Sequence, residues 1–354
     1  MVCKWLSPSS QLHDVAMLED EIRGKARELS IHLIGFSRPD KTDYAKIVHE
    51  RIEKGLIPKE LIERNECFRT PEVYADPKRS LPDAKTLICI GGAYLEKESL
   101  PADMSRRAWI ARHLRRDSYT DLERKRDHLI EFLRSKGFKA DTAKMHPRET
   151  ARMTGIAWIG RNNFAINPTY GSWTLYYPLV TDALIEPTPR IQKSCPTNCR
   201  KCIDACPTKA LAEPFVLDAS RCINYILEMD TPIPSFARYL IGNRINGCDS
   251  CQEACPMNKK VELAPQPLTA RAPEPELVPF PALERCFEVT DGEMKQNYAY
   301  MDWYDAKVRY LRRNALIAVG NSSQKDLIHL AEKFRDSEDP VLKDHARWAI
   351  ERLS

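Results

Sequence analysis

Eight of the twelve cysteines of this 354-residue chain lie within residues 195–255, and no other feature limits the fold as strongly. They form two runs that each end in Cys-Pro, with one cysteine between the runs: Cys195, Cys199, Cys202, Cys206, Cys222, Cys248, Cys251 and Cys255. A [4Fe-4S] cluster is held by four cysteine thiolates, and in bacterial two-cluster proteins the cysteine before proline binds the cluster of the other run. The pattern therefore predicts two [4Fe-4S] clusters.

The crossing of the Cys-Pro cysteines assigns all eight residues. One cluster takes Cys195, Cys199, Cys202 and Cys255, and the other takes Cys206, Cys222, Cys248 and Cys251. A pair of zinc sites is the alternative, because C-x2-C spacing also suits tetrahedral zinc. Zinc sites do not call for C-x3-C-P endings, and no histidine lies between His146 and His329, which also excludes a Rieske centre. The spacing favours iron–sulfur clusters.

The composition and the first residues indicate a folded, cytoplasmic enzyme. Hydrophobic residues make up 43% and charged residues 29% of the chain, as is ordinary for a globular protein. No secretory signal is readable, and no apolar run approaches the ~18 residues that a membrane span needs. The cytosol keeps thiols reduced, so we expect clustered cysteines to bind metal and the other four, Cys3, Cys67, Cys89 and Cys286, to be ordinary thiols.

A run of arginines interrupts an otherwise balanced charge pattern. The net charge of +4 is too small to indicate nucleic-acid binding by itself. Seven arginines nevertheless fall within one short stretch: Arg106, Arg107, Arg112, Arg115, Arg116, Arg124 and Arg126. Two interpretations stay open, a solvated helix face and, together with Arg309, Arg312 and Arg313 near the C-terminus, a surface that contacts phosphates.

Helical and strand patterns mix without βαβ alternation, so the sequence predicts an α+β fold. The run KTLICIGGAYL from Lys85 predicts a buried strand, residues 120–136 predict a helix that ends at Gly137, and WTLYYPLVTDALI predicts a further strand. The predicted segments are an α+β domain at 1–185, a double-cluster module at 186–262, a Pro-rich connector at 263–305 and a HEAT-like helical tail at 306–354.

Several motifs together resemble the epoxyqueuosine reductase family, from about Arg27 to the C-terminus. These motifs are GIAWIGRNNFAINPTYGSWTLYYPLVTD, CIDACPTKAL, RCINYI, IGNRINGCDSCQEACPMN and RRNALIAVGN. The family consists of cobalamin-dependent iron–sulfur enzymes of tRNA modification, related to reductive dehalogenases. The resemblance implies a nitroreductase-like domain that binds cobalamin and a ferredoxin-like module with both clusters. It also implies reduction of epoxyqueuosine in tRNA to queuosine, with electrons from an external low-potential donor.

The resemblance also implies site residues in the first half of the chain. The family has an aspartate about fourteen residues before the glycine matched by Gly155, and in this chain that residue is Asp141. The resemblance implies that Asp141 is the proton donor, because loss of the epoxide oxygen as water consumes protons. A helix N-cap is the alternative role for Asp141. The expected floor of the corrinoid pocket consists of Trp158, Gly160, Asn162, Ser172 and Trp173, for which a packed core is the alternative.

Three short segments depart from the family pattern at the predicted substrate pocket. They are residues 117–120, where D-Y-H is usual, residues 143–144 after the acid, and residues 177–178, where Gly-Glu is usual. These departures keep open an enzyme of the same chemistry that acts on a halogenated or epoxide-bearing small molecule. A ferredoxin-like carrier that reactivates a corrinoid protein is a further alternative, although about 190 residues precede the cluster module and a carrier needs far fewer.

Overall fold

The computed structural model describes residues 8–229, 231–265, 274–298 and 307–354. Packing divides the chain into two units. The first unit consists of Met1–Tyr94, Tyr119–Cys199 and Met257–Leu268, and the second consists of Leu95–Ser118, Arg200–Pro256 and Thr269–Ser354. Residues 266–273 and 299–305 of the predicted connector lie outside the described residues.

Helices and strands alternate irregularly along the described residues. The α-helices are α1 (Pro8–Glu28), α2 (Tyr44–Glu53), α3 (Lys59–Arg64), α4 (Glu66–Arg69), α5 (Ser118–Ser135), α6 (Pro147–Met153), α7 (Lys201–Asp204), α8 (Ile223–Glu228), α9 (Ser235–Ile241), α10 (Ser250–Glu253), α11 (Leu283–Glu288), α12 (Asp291–Tyr298), α13 (Lys307–Asn321), α14 (Ile328–Glu332) and α15 (Pro340–Leu353). The strands are β1 (Leu33–Ser37), β2 (Thr86–Ala93), β3 (Trp109–Ile110), β4 (Ala140–Thr142), β5 (Trp158–Ile159), β6 (Ala165–Ile166), β7 (Thr174–Thr181), β8 (Leu211–Glu213), β9 (Val216–Leu217) and β10 (Arg244–Asn246). This mixture confirms the predicted α+β class.

A four-stranded antiparallel sheet in the order β1-β2-β7-β4 forms the centre of the first unit. Every residue of β2 is buried, as expected of a strand covered on both faces, and the strand predicted from Lys85 is therefore confirmed. Gly35 in β1 allows a close approach, because a Cβ atom there would lie 2.2 Å from the carbonyl oxygen of Thr154. The predicted helix at 120–136 is confirmed as α5, and Gly137 follows it with a φ of +88°.

The core of the second unit is built on its C-terminal helices. Helix α13 packs against α15, where Gly320 lies under the ring of Trp348. The described part of the predicted helical tail contains α13, α14 and α15. Short strands β3 and β10 pair in parallel, and β8 and β9 form a small hairpin. In the part of the chain that the structure describes, no helix is both long and apolar enough to cross a membrane.

Candidate functional site

Four of the predicted cluster ligands come together in the second unit. Cys206 follows the one-turn helix α7, Cys222 directly precedes α8, and Cys248 and Cys251 flank the start of α10. Burial, then the charges of Cys248 and Cys206, raise the pKa of Cys222 to about 12. Burial and the neighbouring Cys248, Cys222, Cys206 and Cys202 raise the pKa of Cys251 in the same way. Cys202, predicted as a ligand of the other cluster, therefore lies near this group as well.

This group of thiols fits a cluster in its chemistry. All the cysteines among the described residues are free thiols. The backbone N–H groups of Asn224 and Tyr225 donate to the sulfur of Cys222, which favours its thiolate form. Four neighbouring thiolates are a [4Fe-4S] donor set, and hydrogen bonds to the sulfurs are a usual feature of such sites. Across the described ranges, no group of three or more His, Cys, Asp or Glu side chains is arranged to hold a single metal ion.

Two residues that the sequence analysis did not select hold this group in place. Nη2 of Arg313 and Nδ2 of Asn314 donate to the carbonyl oxygen of Leu227, at 2.8 and 3.1 Å. Nδ2 of Asn314 also donates to the carbonyl oxygen of Ile245 at 2.8 Å. These carbonyls belong to α8, which follows Cys222, and to β10, which precedes Cys248. The motif RRNALIAVGN was a signal for these residues, but their role depends on partners about 70 to 90 positions earlier.

The other four predicted ligands belong to different units. Cys195 and Cys199 lie in the first unit, whereas Cys202 and Cys255 are buried in the second. Arg161 anchors the first pair, because its backbone N–H donates to the sulfur of Cys195 at 3.4 Å and its Nη1 donates to the carbonyl oxygen of Cys199 at 2.6 Å. Sequence reasoning missed Arg161, although it lies in the quoted segment IAWIGRNNFAI. The assignment of these four cysteines to one cluster stays a prediction.

Asp141 lies on strand β4, opposite Val180 of β7. The N-cap role is wrong, because α6 begins at Pro147 and the preceding strand holds the aspartate. Its Oδ1 accepts a hydrogen bond from the N–H of Thr142 at 2.8 Å and lies 4.0 Å from the guanidinium of Arg134. The side chain is 59% exposed, so the desolvated surroundings expected of a proton donor are not present here. The catalytic role stays a prediction.

The residues predicted for the corrinoid floor are all buried in the first unit: Trp158, Gly160, Asn162, Ser172 and Trp173. Trp158 pairs with Ile166 across the β5–β6 hairpin. Asn258 fixes the second half of the floor, because its Oδ1 accepts from the N–H of Ser172 and its Nδ2 donates to the Ser172 hydroxyl at 2.8 Å. Within the described residues, the buried indole N–H of Trp158 has no acceptor. A buried donor without a partner is a feature that a bound cofactor with carbonyl groups would satisfy.

Most arginines of the run are paired with acids, so the run is not an open basic surface. Arg106 forms ion pairs with Glu284 and Asp326 at 2.7 and 2.8 Å. Arg112 pairs with Glu98, Asp249 and Glu253. The other ion pairs of the run are Arg115 with Glu98, Arg116 with Glu96, Arg124 with Asp121 and Arg126 with Glu123. In the tail, Arg309 pairs with Asp339, and Arg313 is fully buried. Internal partners therefore take up most of the charge that was predicted to grip phosphates.

Three comparisons relate the chain to known proteins. Residues 194–258 match the family model described as a 4Fe-4S double cluster binding domain. The chain is 30% identical to an epoxyqueuosine reductase of Staphylococcus aureus over 96% of this chain and 90% of that protein. It is 28% identical to the Escherichia coli epoxyqueuosine reductase, over 95% and 90% of the two chains.

Solved structures resemble the whole chain as well. A crystal structure of epoxyqueuosine reductase with a tRNA-Tyr epoxyqueuosine-modified stem loop aligns with a TM-score of 0.84 at 27% identity, covering 96% of this chain and 91% of that one. The Bacillus subtilis epoxyqueuosine reductase aligns with a TM-score of 0.86 at 28% identity over the same shares, in a structure whose catalytic aspartate loop is swung out of the active site.

Proposed function

This chain belongs to the epoxyqueuosine reductase family, and on that premise we propose that it reduces epoxyqueuosine in tRNA to queuosine. One observation carries the proposal: a similar enzyme, aligned over 96% of this chain, holds an epoxyqueuosine-modified tRNA stem loop. The partners are therefore the modified tRNA and an external low-potential electron donor, and the place of action is the cytoplasm. The N-terminal half supplies the substrate site, and the cysteine module supplies electrons.

The second unit holds one of two clusters on Cys206, Cys222, Cys248 and Cys251, and the remaining predicted cysteines hold the other. When bound, [4Fe-4S] clusters transfer single electrons at potentials that depend on hydrogen bonds to sulfur and on burial. The amides at the start of α8 and the buried position of Cys251 are such influences. Arg313 and Asn314 contribute by holding α8 and β10, so the ligand geometry survives changes of charge on the sulfurs.

Cobalamin binds on the floor formed by Trp158, Gly160, Asn162, Ser172 and Trp173. When bound, it supplies a strongly reducing metal centre beside the substrate. The unpaired indole N–H of Trp158 supports this assignment, because the corrin periphery carries amide carbonyls that accept hydrogen bonds. Trp173 adds an aromatic wall, with its ring edge against Tyr94 at a centroid distance of 6.1 Å. These groups bind and orient the cofactor and keep water from it.

Asp141 donates one of the two protons with which the substrate oxygen leaves as water; solvent supplies the other, and the cysteine module supplies the two electrons. Because the Asp141 side chain is exposed on β4, we infer that the segment that holds it moves toward the pocket before the proton is delivered. The B. subtilis relative, whose catalytic aspartate loop is swung out of the active site, supports such a movement.

The test combines anaerobic reconstitution with mass analysis of tRNA. We expect about eight iron atoms per chain, retained cobalamin and conversion of epoxyqueuosine to queuosine in tRNA from a strain without its own reductase. Cys222→Ser should lower the iron content to about four, whereas Cys286→Ser, a buried cysteine outside the module, should keep it near eight. If the cofactors are bound but the tRNA is unchanged, tRNA is not the substrate, and a reductase of a small molecule is favoured. If the chain never retains cobalamin, the ferredoxin-like electron carrier is favoured.

A further inference from the structure

A group of cationic and polar side chains in the first unit is used by none of the predicted sites. Nη1 of Arg148, on helix α6, donates to the carbonyl oxygen of Asn163 at 2.7 Å, and its Nη2 lies 3.4 Å from Nε2 of His146. Nη2 of Arg51, on helix α2, donates to Oδ1 of the same Asn163 at 3.4 Å. The ring of Tyr44 lies against that of His146 with centroids 5.1 Å apart. Two guanidinium groups thus meet around one asparagine.

No negative charge compensates Arg148. Among the residues that the structure describes, no carboxylate forms an ion pair with it. Its acidic neighbours include the phenol of Tyr44 and the thiol of Cys67, and burial raises the pKa of both, so they are uncharged at neutral pH. Burial also lowers the pKa of His146, as do the charges of Arg148 and Arg51, so that ring is neutral. A half-buried guanidinium without an anion is costly, and a bound anion would remove that cost.

Asn163 adds a donor to this group. Its φ of +65° lies in the left-handed region, which asparagine adopts more readily than most residues other than glycine. This conformation turns the carbonyl toward Arg148 and the side-chain oxygen toward Arg51. Within the described residues, its Nδ2 is buried and has no acceptor. A buried donor without an acceptor, placed beside two guanidinium groups, indicates a binding role.

We propose that Arg148, Arg51 and the side-chain amide of Asn163 form a binding site for one phosphate-type oxyanion. The planar guanidinium of arginine can donate two parallel hydrogen bonds to two phosphate oxygens. The donors of this site lie on two helices and a loop, and such an arrangement suits a tetrahedral group better than a planar carboxylate. The shared ligand chemistry is a phosphate oxygen. It comes from the backbone of a nucleic acid, from the phosphodiester of a nucleotide-bearing cofactor or from free phosphate.

The site is tested by titrating the full-length protein with inorganic phosphate and measuring the binding from the broadening of the phosphorus NMR line. We expect saturable binding that Arg148→Met weakens about tenfold or more, because a charge-assisted hydrogen bond contributes that much. Arg134→Met is the matched control, since its guanidinium is 55% exposed in the same unit, and it should bind phosphate like the wild type. Phosphate binding requires no turnover of tRNA, so its failure is distinguishable from failure of the proposed function.

A second variant protects the test against misfolding of Arg148→Met. Asn163→Gly removes the amide donor but accepts a φ of +65° without strain, so it should fold at least as stably as the wild type and still bind phosphate more weakly. Absence of saturable binding to the wild type, or binding by Asn163→Gly and Arg148→Met as tight as that of the wild type, would overturn the proposal. Competition then identifies the source: phosphate displaced by an RNA stem loop indicates a nucleic acid, displacement by cobalamin indicates the cofactor, and displacement by neither indicates free phosphate.

Discussion

Protonation of His345 should weaken the second unit as the pH falls. The ring is fully buried on α15, and both of its nitrogens have partners. Nε2 accepts from the backbone N–H of Ile233 at 3.1 Å, and Nδ1 lies 2.7 Å from the carbonyl oxygen of Val341, to which it donates. These two bonds require the neutral ring with its hydrogen on Nδ1, because a proton on Nε2 would face the hydrogen of Ile233.

The size of the effect follows from the pKa of the ring. Burial lowers the pKa of His345 from 6.5 to about 4. Because the folded value lies below the unfolded one, the unfolded chain binds the extra proton first. The stability contribution is therefore intact above pH 6.5 and is lost as the pH falls toward 4. Between about pH 7.5 and about pH 5.5 the loss amounts to about 1.3 kcal/mol.

Urea unfolding of the anaerobic full-length protein at these two pH values measures the effect. His345→Gln keeps an acceptor for Ile233 but does not titrate, so its stability should depend on pH by about 1.3 kcal/mol less than that of the wild type. His128→Gln is the control, since His128 is exposed on α5 and its replacement should leave the wild-type dependence unchanged. The pKa of His32 is lowered as well, so the wild-type pH dependence contains more than the contribution of His345. The difference between the variant and the wild type isolates the contribution of His345. Equal pH dependence of His345→Gln and the wild type would refute the reasoning.

Three further outcomes are expected. Arg313→Met should cost about 3 kcal/mol or more in urea unfolding, because it leaves several buried carbonyls without their charged donor; a loss below about 1 kcal/mol would contradict this. Gly320→Ala should lower the free energy of unfolding by about 1 to 3 kcal/mol, because the added Cβ would lie 2.5 Å from the Trp348 ring. Gly24→Ala is its control: the added Cβ would have no atom nearer than 3.8 Å, so this variant should stabilise α1 by up to about 1 kcal/mol. Asp141→Asn should keep both clusters and cobalamin but lower turnover about 100- to 10,000-fold, and near-normal turnover would remove the proposed acid.

Features with local causes were predictable from the sequence. Strand β2 was clear because its run of apolar residues is continuous, and α5 was clear because its pattern ends at Gly137. The cysteine spacing selected the four thiols that the structure brings together in the second unit. Such spacing is informative because a cluster fixes the distance between its ligands and so limits the loops between them.

Features that depend on distant partners were not predictable. The sequence shows the charge of Arg112 but not that Asp249 and Glu253, 137 and 141 positions later, neutralise it. The charge of Arg148 was equally visible, yet the meeting of α2, α6 and the loop at Asn163 appears only in the folded chain. Asp141 was selected by counting from a glycine. Counting locates a residue along the chain and says nothing of its exposure, and the aspartate proved to be open to solvent.

The contacts of Asn314 have a genetic consequence. This residue and its neighbour Arg313 are the donors for carbonyls beside Cys222 and Cys248, although they are encoded downstream of the whole cysteine module. A stop codon between the cysteine module and α13 would leave all eight cysteine codons of the module intact and still release α8 and β10. We therefore expect late nonsense alleles to lose iron from the cluster held by Cys222, and to behave like deletions of the whole gene.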